Sequence, residues 1–441
     1  MSLARASLVN LGSRLLAVAL GLALTLYTAR LGPAAQGAFA LFLAVESVLL
    51  AAGTGFGVAV ARELSHHGRH PGGLLGAMVV ACLVLGVAAA AGLWFVARSG
   101  GAAYGSLGWL ALAAPLMFLP GNLSGLWLGR GRMGGLAALM LAPPLLTLAG
   151  IALAHGLGRG GDLAAVLAAW AAARVVVALG TTAAASRGGW LGRPDPAALG
   201  AQLRFAAVIG ATNVVSLLNY KADLFLVEHF LGLAPTGVYS IAVAVAELLW
   251  LVSSAVTTAA YARIGQPDRA AAAALALRAM HVSVGVLVLA SPLLWGAAWW
   301  LVPRVLGEAY RPALPVLALL LPGVVLYGAA SALSAWFTNH AGRPQVPALL
   351  AGASLGINVA VSWWAIPRFG LMGGALATTL SYTIAIAIGL VAFARAARLP
   401  LAHVLSPALA PLRPGGRPPG GAEGPPGDTA DAPGDADRRR G

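Results

Sequence analysis

Twelve stretches of about twenty mostly apolar residues, each long enough to carry an α-helix through a bilayer, run almost end to end along this chain. They lie at roughly 7–29, 38–61, 74–97, 107–128, 134–156, 163–185, 203–230, 237–261, 279–302, 313–337, 346–366 and 372–394, separated by segments bearing Gly, Pro and Arg. A polypeptide inside hydrocarbon must satisfy its own amides, which leaves helices and closed barrels. The alternation of barrel strands does not recur, so the expectation is an all-α integral membrane protein with about twelve transmembrane helices. Composition points the same way: 59% of residues are hydrophobic and 10% charged, against about a quarter charged in soluble domains.

The formal net charge of +14 would suit nucleic acid, but the arginines are scattered between apolar runs and form no patch. No nucleic-acid partner is expected. The positive-inside rule explains the charge better. With the N-terminus inside, thirteen arginines fall in inside segments and six outside, which places both termini in the cytoplasm. The first apolar stretch is long, is interrupted by Arg14 and lacks a convincing cleavage site, so it reads as a span and not as a signal peptide. The single Cys82 excludes a disulfide scaffold or a Cys-based metal cluster. The eight His show no metal-ligand spacing, with His66, His67 and His70 reading as solvated loop charge, and no Walker-type phosphate loop occurs. No cofactor, metal or nucleotide hydrolysis is expected.

Two segments 200 residues apart are alike: Leu31-Gly32-Pro33-Ala34-Ala35-Gln36-Gly37-Ala38-Phe39-Ala40 and Leu231-Gly232-Leu233-Ala234-Pro235-Thr236-Gly237-Val238-Tyr239-Ser240. An acidic residue follows in each span, Glu46 and Glu247. The repeat predicts two six-helix halves, 1–197 and 198–402, around a central cavity, related by an axis along the membrane normal and rocking between alternating states. Residues 403–441, dominated by Pro, Gly, Asp, Glu and Arg toward the end, are expected to form a disordered cytoplasmic tail.

Ala29-Arg30-Leu31-Gly32-Pro33, Gly53-Thr54-Gly55-Phe56-Gly57, Arg62-Glu63-Leu64, Asn219-Tyr220-Lys221-Ala222-Asp223 and Ile366-Pro367-Arg368-Phe369-Gly370-Leu371-Met372-Gly373-Gly374-Ala375, with Thr378, Ser381 and Tyr382, occur in an order that resembles the multidrug/oligosaccharidyl-lipid/polysaccharide exporter superfamily. The resemblance is closest to its bacterial polysaccharide flippases. It implies translocation of undecaprenyl-diphosphate-linked oligosaccharide across the plasma membrane for cell-surface polysaccharide biosynthesis. The partners it implies are that lipid-linked substrate, membrane lipids, and a polysaccharide polymerase or glycosyltransferases.

Charged residues inside spans cost about 2.5–3.5 kcal/mol each at mid-membrane, so they face a cavity or a partner. The seventh span gathers Asn213, Ser216, Tyr220, Lys221, Asp223 and Glu228 within an arc of roughly 160°. The first gathers Asn10, Ser13, Arg14, Thr25 and Thr28 on one side. For a diphosphate substrate, Arg14, Lys221 and Arg174 are the candidate anion site, and Asn10, Asn213 and Tyr220 suit sugar hydroxyls. Asp223, Glu46 and Glu247 would balance charge or carry coupling protons. Arg174 with Glu46, or Lys221 with a carboxylate, also fits a structural ion pair, and Glu228 is expected at the outer interface. Two other functions remain open. A multidrug/cation antiporter would favour a carboxylate-rich cavity, and a glycan polymerase or ligase would need a sizeable outside loop, which is absent here. An enzyme is therefore not expected.

Overall fold

The computed structural model describes residues 3–67 and 72–406, and among them it contains helices and no strands. Twelve helical stretches are long and apolar enough to cross a membrane. They are span 1 (Gly12–Arg30), span 2 (Pro33–Ser65), span 3 (Gly72–Ser99), span 4 (Leu107–Gly129), span 5 (Met133–Gly156) and span 6 (Leu163–Arg187), followed by span 7 (Pro196–Leu231), span 8 (Leu233–Thr258), span 9 (Arg269–Leu306), span 10 (Glu308–His340), span 11 (Gln345–Phe369) and span 12 (Leu371–Ala397). Odd-numbered spans begin at one end of the bundle, the near face, and even-numbered spans begin at the far face.

Each expected apolar run has its helix. Spans 7 and 9 start well before their apolar stretches, because Asp195 and Asp268 cap them. The Asp195 carboxylate accepts from the amides of Ala197 and Ala198 at 3.0 and 3.2 Å, and that of Asp268 from Ala270 at 2.9 Å. The predicted tail boundary at 403 moves outward. Leu401–Leu405 is a helical turn whose Val404 is fully buried against spans 9, 10 and 12; residues 407–441 lie outside the described residues.

The packing partners recur at an interval of six spans. Span 1 packs on span 5 and span 7 on span 11; spans 4, 5 and 6 are mutual neighbours in part, as are 10, 11 and 12; span 2 packs on span 4 and span 8 on span 10. One apolar core is built from spans 1–6 with Ala206, and two others draw mainly on spans 7–12. The outside of the bundle is apolar too: Phe95, Leu289 and Leu293 are 71%, 72% and 75% exposed within their spans. Such a surface suits acyl chains, not water. At the far face three spans end in a Trp with an Arg four residues on. The guanidiniums of Arg98, Arg304 and Arg368 each lie 4.7 Å from the ring centres of Trp94, Trp300 and Trp364, which suits interface anchoring.

Spans 2 and 8 are each interrupted beyond their acidic residue, span 2 at Thr54, about two turns after Glu46, and span 8 at Leu248, directly after Glu247. The break in span 2 is satisfied by Asn122, fully buried on span 4. Its amide donates to the Gly53 carbonyl at 2.7 Å, and its oxygen accepts from the Gly57 amide at 2.8 Å. This explains the glycine-rich string at 53–57, which serves helix packing and not a nucleotide.

The two repeat motifs meet each other. A Cβ on Gly37 would lie 1.9 Å from the Leu233 carbonyl oxygen, and one on Gly237 would lie 1.9 Å from that of Pro33. The contact is reciprocal, with residues 33 and 37 facing their counterparts 200 positions on. Only hydrogen at both α-carbons lets spans 2 and 8 touch backbone to backbone. Gly37→Ala and Gly237→Ala are each expected to cost about 1–3 kcal/mol through overpacking, seen as a lower midpoint in thermal unfolding of the purified protein. Gly285→Ala, with nothing within 4 Å of its new Cβ, should be neutral or slightly stabilising. A Gly37→Ala protein that melts with the wild type would show that this contact does not form.

Candidate functional site

Below the glycine contact, spans 1, 2, 7 and 8 enclose a cavity of about 290 Å³, whose lining includes Thr25, Gln36, Tyr220, Lys221, Asp223 and Glu247. Hydrogen bonds close its far end. Thr28 donates to the Gln36 side-chain oxygen, and the Gln36 amide donates to Ser240 at 3.1 Å, tying span 1 through span 2 to span 8. Tyr310 donates to the Ala29 carbonyl at 2.9 Å, and Tyr104, in the turn between spans 3 and 4, donates to Glu228 at 2.7 Å. Burial, and then its bond to Glu228, push the Tyr104 phenol up to about 12, so it remains a donor through the physiological range.

Within the cavity Lys221 is paired. Its ammonium donates to Glu247 at 3.0 Å, from span 7 to span 8. Asp223, 5% exposed, instead accepts from Tyr239 at 2.7 Å, from Thr378 of span 12 at 3.1 Å and from the Leu224 amide at 2.8 Å. Behind Thr378, Asn358 of span 11 donates to the Thr378 hydroxyl at 3.0 Å. Asp223 is thus a buried carboxylate held by neutral donors on three helices, as a charge without its own counter-ion requires. Aromatic rings stand beside it: Tyr220 lies 4.9 Å from Trp250, and Tyr327 lies 4.3 Å from Tyr382, between ring centres.

A second cavity, of about 410 Å³, lies among spans 1, 2, 4, 5 and 6 and includes Arg14, Glu46, Thr54, Ser124 and Arg174 in its lining. Glu46 is buried, and an Arg174 terminal nitrogen lies 2.6 Å from it. Among the described residues the buried Arg174 Nε has no hydrogen-bond partner. Arg14 forms no ion pair among the described residues and is exposed to the cavity.

The sequence candidates therefore fall into two groups. Lys221, Asp223, Glu247 and Tyr220 share the first cavity, with one positive and two negative formal charges; Arg14, Arg174 and Glu46 share the second, with two positive and one negative. Asn213 is exposed and lines neither cavity, and the Asn10 side chain lies outside the described residues. Glu228 lies in the last turn of span 7, at the far face, where it is 8% exposed because the turn after span 3 covers it and Tyr104 bonds it. Sequence reasoning passed over Gln36, Ser240, Tyr239 and Asn358 as site residues. All are neutral, and a neutral polar side chain costs a span too little to stand out.

Removing one partner of a buried ion pair leaves the other charge stranded, at about 3–5 kcal/mol when fully buried. Arg174 is 28% exposed, so Glu46→Gln should fall at or below the lower end of that range, with Glu46→Gln/Arg174→Gln recovering most of the loss. Equal stability of Glu46→Gln and wild type in denaturant titration would show that the pair is not formed.

No family model matches this chain, and no curated protein matches its sequence. Solved structures do share its fold. It is similar to a multidrug resistance MATE family transporter of the MOP superfamily in its inward-facing conformation, with a TM-score of 0.68 at 16% identity, over 88% of this chain and 96% of that one. An outward-facing conformation of such a transporter aligns with a TM-score of 0.65 at 16% identity, over 91% and 95%. A MOP superfamily transporter from Pyrococcus furiosus, described as having a binding pocket of reversed polarity, aligns with a TM-score of 0.62 at 15% identity, over 90% and 95%.

Proposed function

We propose that this chain is an alternating-access transporter of two six-span halves, residues 1–197 and 198–402. Its substrate on this reading is an undecaprenyl-diphosphate-linked oligosaccharide, moved across the bacterial plasma membrane with the near face toward the cytoplasm. The observation that carries the reading is the placement of buried charge. In a largely apolar bundle, six formal charges gather in two cavities, one of them at the seam where the repeat motifs meet. The arginine-rich cavity suits a diphosphate, because guanidinium binds phosphate oxygens in a fixed fork and low dielectric strengthens the attraction. The cavity of Tyr220, Gln36 and Ser240 beside Lys221 suits sugar hydroxyls and apolar ring faces. Asp223, Glu46 and Glu247 are the groups through which a proton gradient would couple.

Supporting this arrangement, MATE transporters of the same fold are known in both inward- and outward-facing conformations. A multidrug or cation antiporter is the second reading. It is favoured by the excess of carboxylate over ammonium in the first cavity and by the aromatic rings beside it. A glycan polymerase or ligase has no comparable support. A polysaccharide polymerase or glycosyltransferases would act as partners on either side of the flipping step.

Loss of the protein is expected to accumulate lipid-linked oligosaccharide on the inner leaflet. In proteoliposomes, Arg14→Ala/Lys221→Ala should lower the rate of lipid-linked oligosaccharide flipping at least tenfold at equal protein level. Unchanged lipid-linked pools together with altered drug sensitivity would replace this reading with the antiporter. Asp223→Asn should leave binding of the substrate intact while removing the dependence of transport on an imposed pH gradient. Full retention of that dependence would assign coupling elsewhere.

A further inference from the structure

At the near face, away from both cavities, four arginines surround a basin of about 460 Å³: Arg269 at the start of span 9, Arg343 between spans 10 and 11, and Arg395 and Arg398 at the end of span 12. Trp336 and His340 complete its charged and aromatic wall, and no carboxylate lines it among the described residues. None of the four arginines makes an ion pair among the described residues. The nearby Asp268 is engaged in capping its own helix. The contrast with the far face is direct. There Arg304 and Arg368 each bond the carbonyl four residues back and lie over a Trp of the same turn.

The backbone builds this basin at some local cost. Span 10 ends in a wide π-type turn, Trp336–His340, after which the Arg343 amide donates back to the Phe337 carbonyl at 2.8 Å. Such turns are rare and frequently mark functional positions. Arg398 has φ of 58°, the only positive φ at a non-glycine among the described residues, in a cap position that ordinarily selects glycine. Trp336 supplies an independent sign of a ligand. Its ring is 1% exposed and fixed against Phe393 at 4.8 Å, yet its indole nitrogen, a donor only, is buried with no acceptor among the described residues. Guanidiniums and an N–H donor share one requirement, an oxygen anion.

We propose that this basin binds the phosphate of an anionic phospholipid headgroup. The basin lies at the starts of spans 9 and 11 and the ends of spans 10 and 12, where headgroups would meet the span ends, and basic pockets between span ends recognise anionic lipid there. Four guanidiniums carry charge enough for two phosphates, so a lipid with two phosphodiesters binds more tightly than one with a single phosphate. The site rests on the membrane-spanning fold and does not depend on which substrate is transported.

Native mass spectrometry of the full chain in detergent, titrated with cardiolipin, phosphatidylglycerol or phosphatidylcholine, tests this. Cardiolipin should bind most tightly, and Arg343→Ala/Arg395→Ala/Arg398→Ala should weaken it at least tenfold. Arg304→Ala/Arg368→Ala, at the far face, should leave binding unchanged, and Trp336→Phe, which removes the N–H and keeps the ring, should weaken it two- to fivefold. Where the alanine variant does not stay monodisperse, the charge-keeping Arg343→Lys/Arg395→Lys/Arg398→Lys variant takes its place and should bind several-fold less tightly than wild type. Unaltered cardiolipin binding in these variants, or equal binding of phosphatidylcholine, would overturn the proposal. Displacement of cardiolipin by equimolar pyrophosphate would also overturn it, showing a site for soluble anions.

Discussion

Spans 2 and 8 touch backbone to backbone at Gly37 and Gly237, and the arrangement of the bundle centre depends on that contact. Any larger residue would push the two helices apart by the width of a methyl group. With the backbones in contact, Gln36 reaches Ser240, and Thr28 reaches Gln36, so the far end of the first cavity is closed by three side chains in series. Lower down the same pair of helices diverges enough to leave room for Lys221, Asp223 and Glu247. A close approach at one end and a polar cavity beneath it is the geometry that the proposed rocking about a central site would need.

The cost of buried charge disciplines the rest. Glu46 and Glu247 each precede the break in their span, and each has found a cation on a neighbouring helix, Arg174 and Lys221. Asp223 has no cation of its own and is surrounded instead by donors from Tyr239, Thr378 and its following amide. Among the described residues, arginines without an ion pair line two hollows, Arg14 in the second cavity and the four-arginine basin at the near face. An anion gains most beside such uncompensated charge, and more so in the cavity, where the dielectric is lower.

Much of this was legible before any coordinates. Lys221, Asp223, Glu46, Glu247 and Arg174 stood out because a charge in an apolar run demands an explanation, and the structure has all five lining cavities. Their pairing was legible only in part. Arg174 with Glu46 was one candidate ion pair, and the two lie 2.6 Å apart. Lys221 was matched to no particular carboxylate, because sequence spacing alone does not say which helix packs beside it. The neutral members, Gln36, Ser240 and Asn358, gave no signal, since hydroxyl and amide side chains are common on span faces. The basin at the near face was hidden for another reason. Arg269, Arg343, Arg395 and Arg398 read as ordinary topology-setting charge until the span ends placed them around one hollow without a carboxylate.

The sequence by itself determined the helical spans, because about twenty apolar residues without a strand period leave one way to satisfy the backbone in hydrocarbon. It also determined the glycine-marked repeat, whose two copies could be matched by eye across 200 positions. Only the tertiary structure decided that those copies meet each other, and that the candidate anion residues divide between two cavities of opposite formal charge excess. The physical reason is one of range. Hydrophobic length and helix periodicity act between neighbours in the chain, whereas the pairing of a buried charge is settled by whichever helix packs within about 4 Å of it.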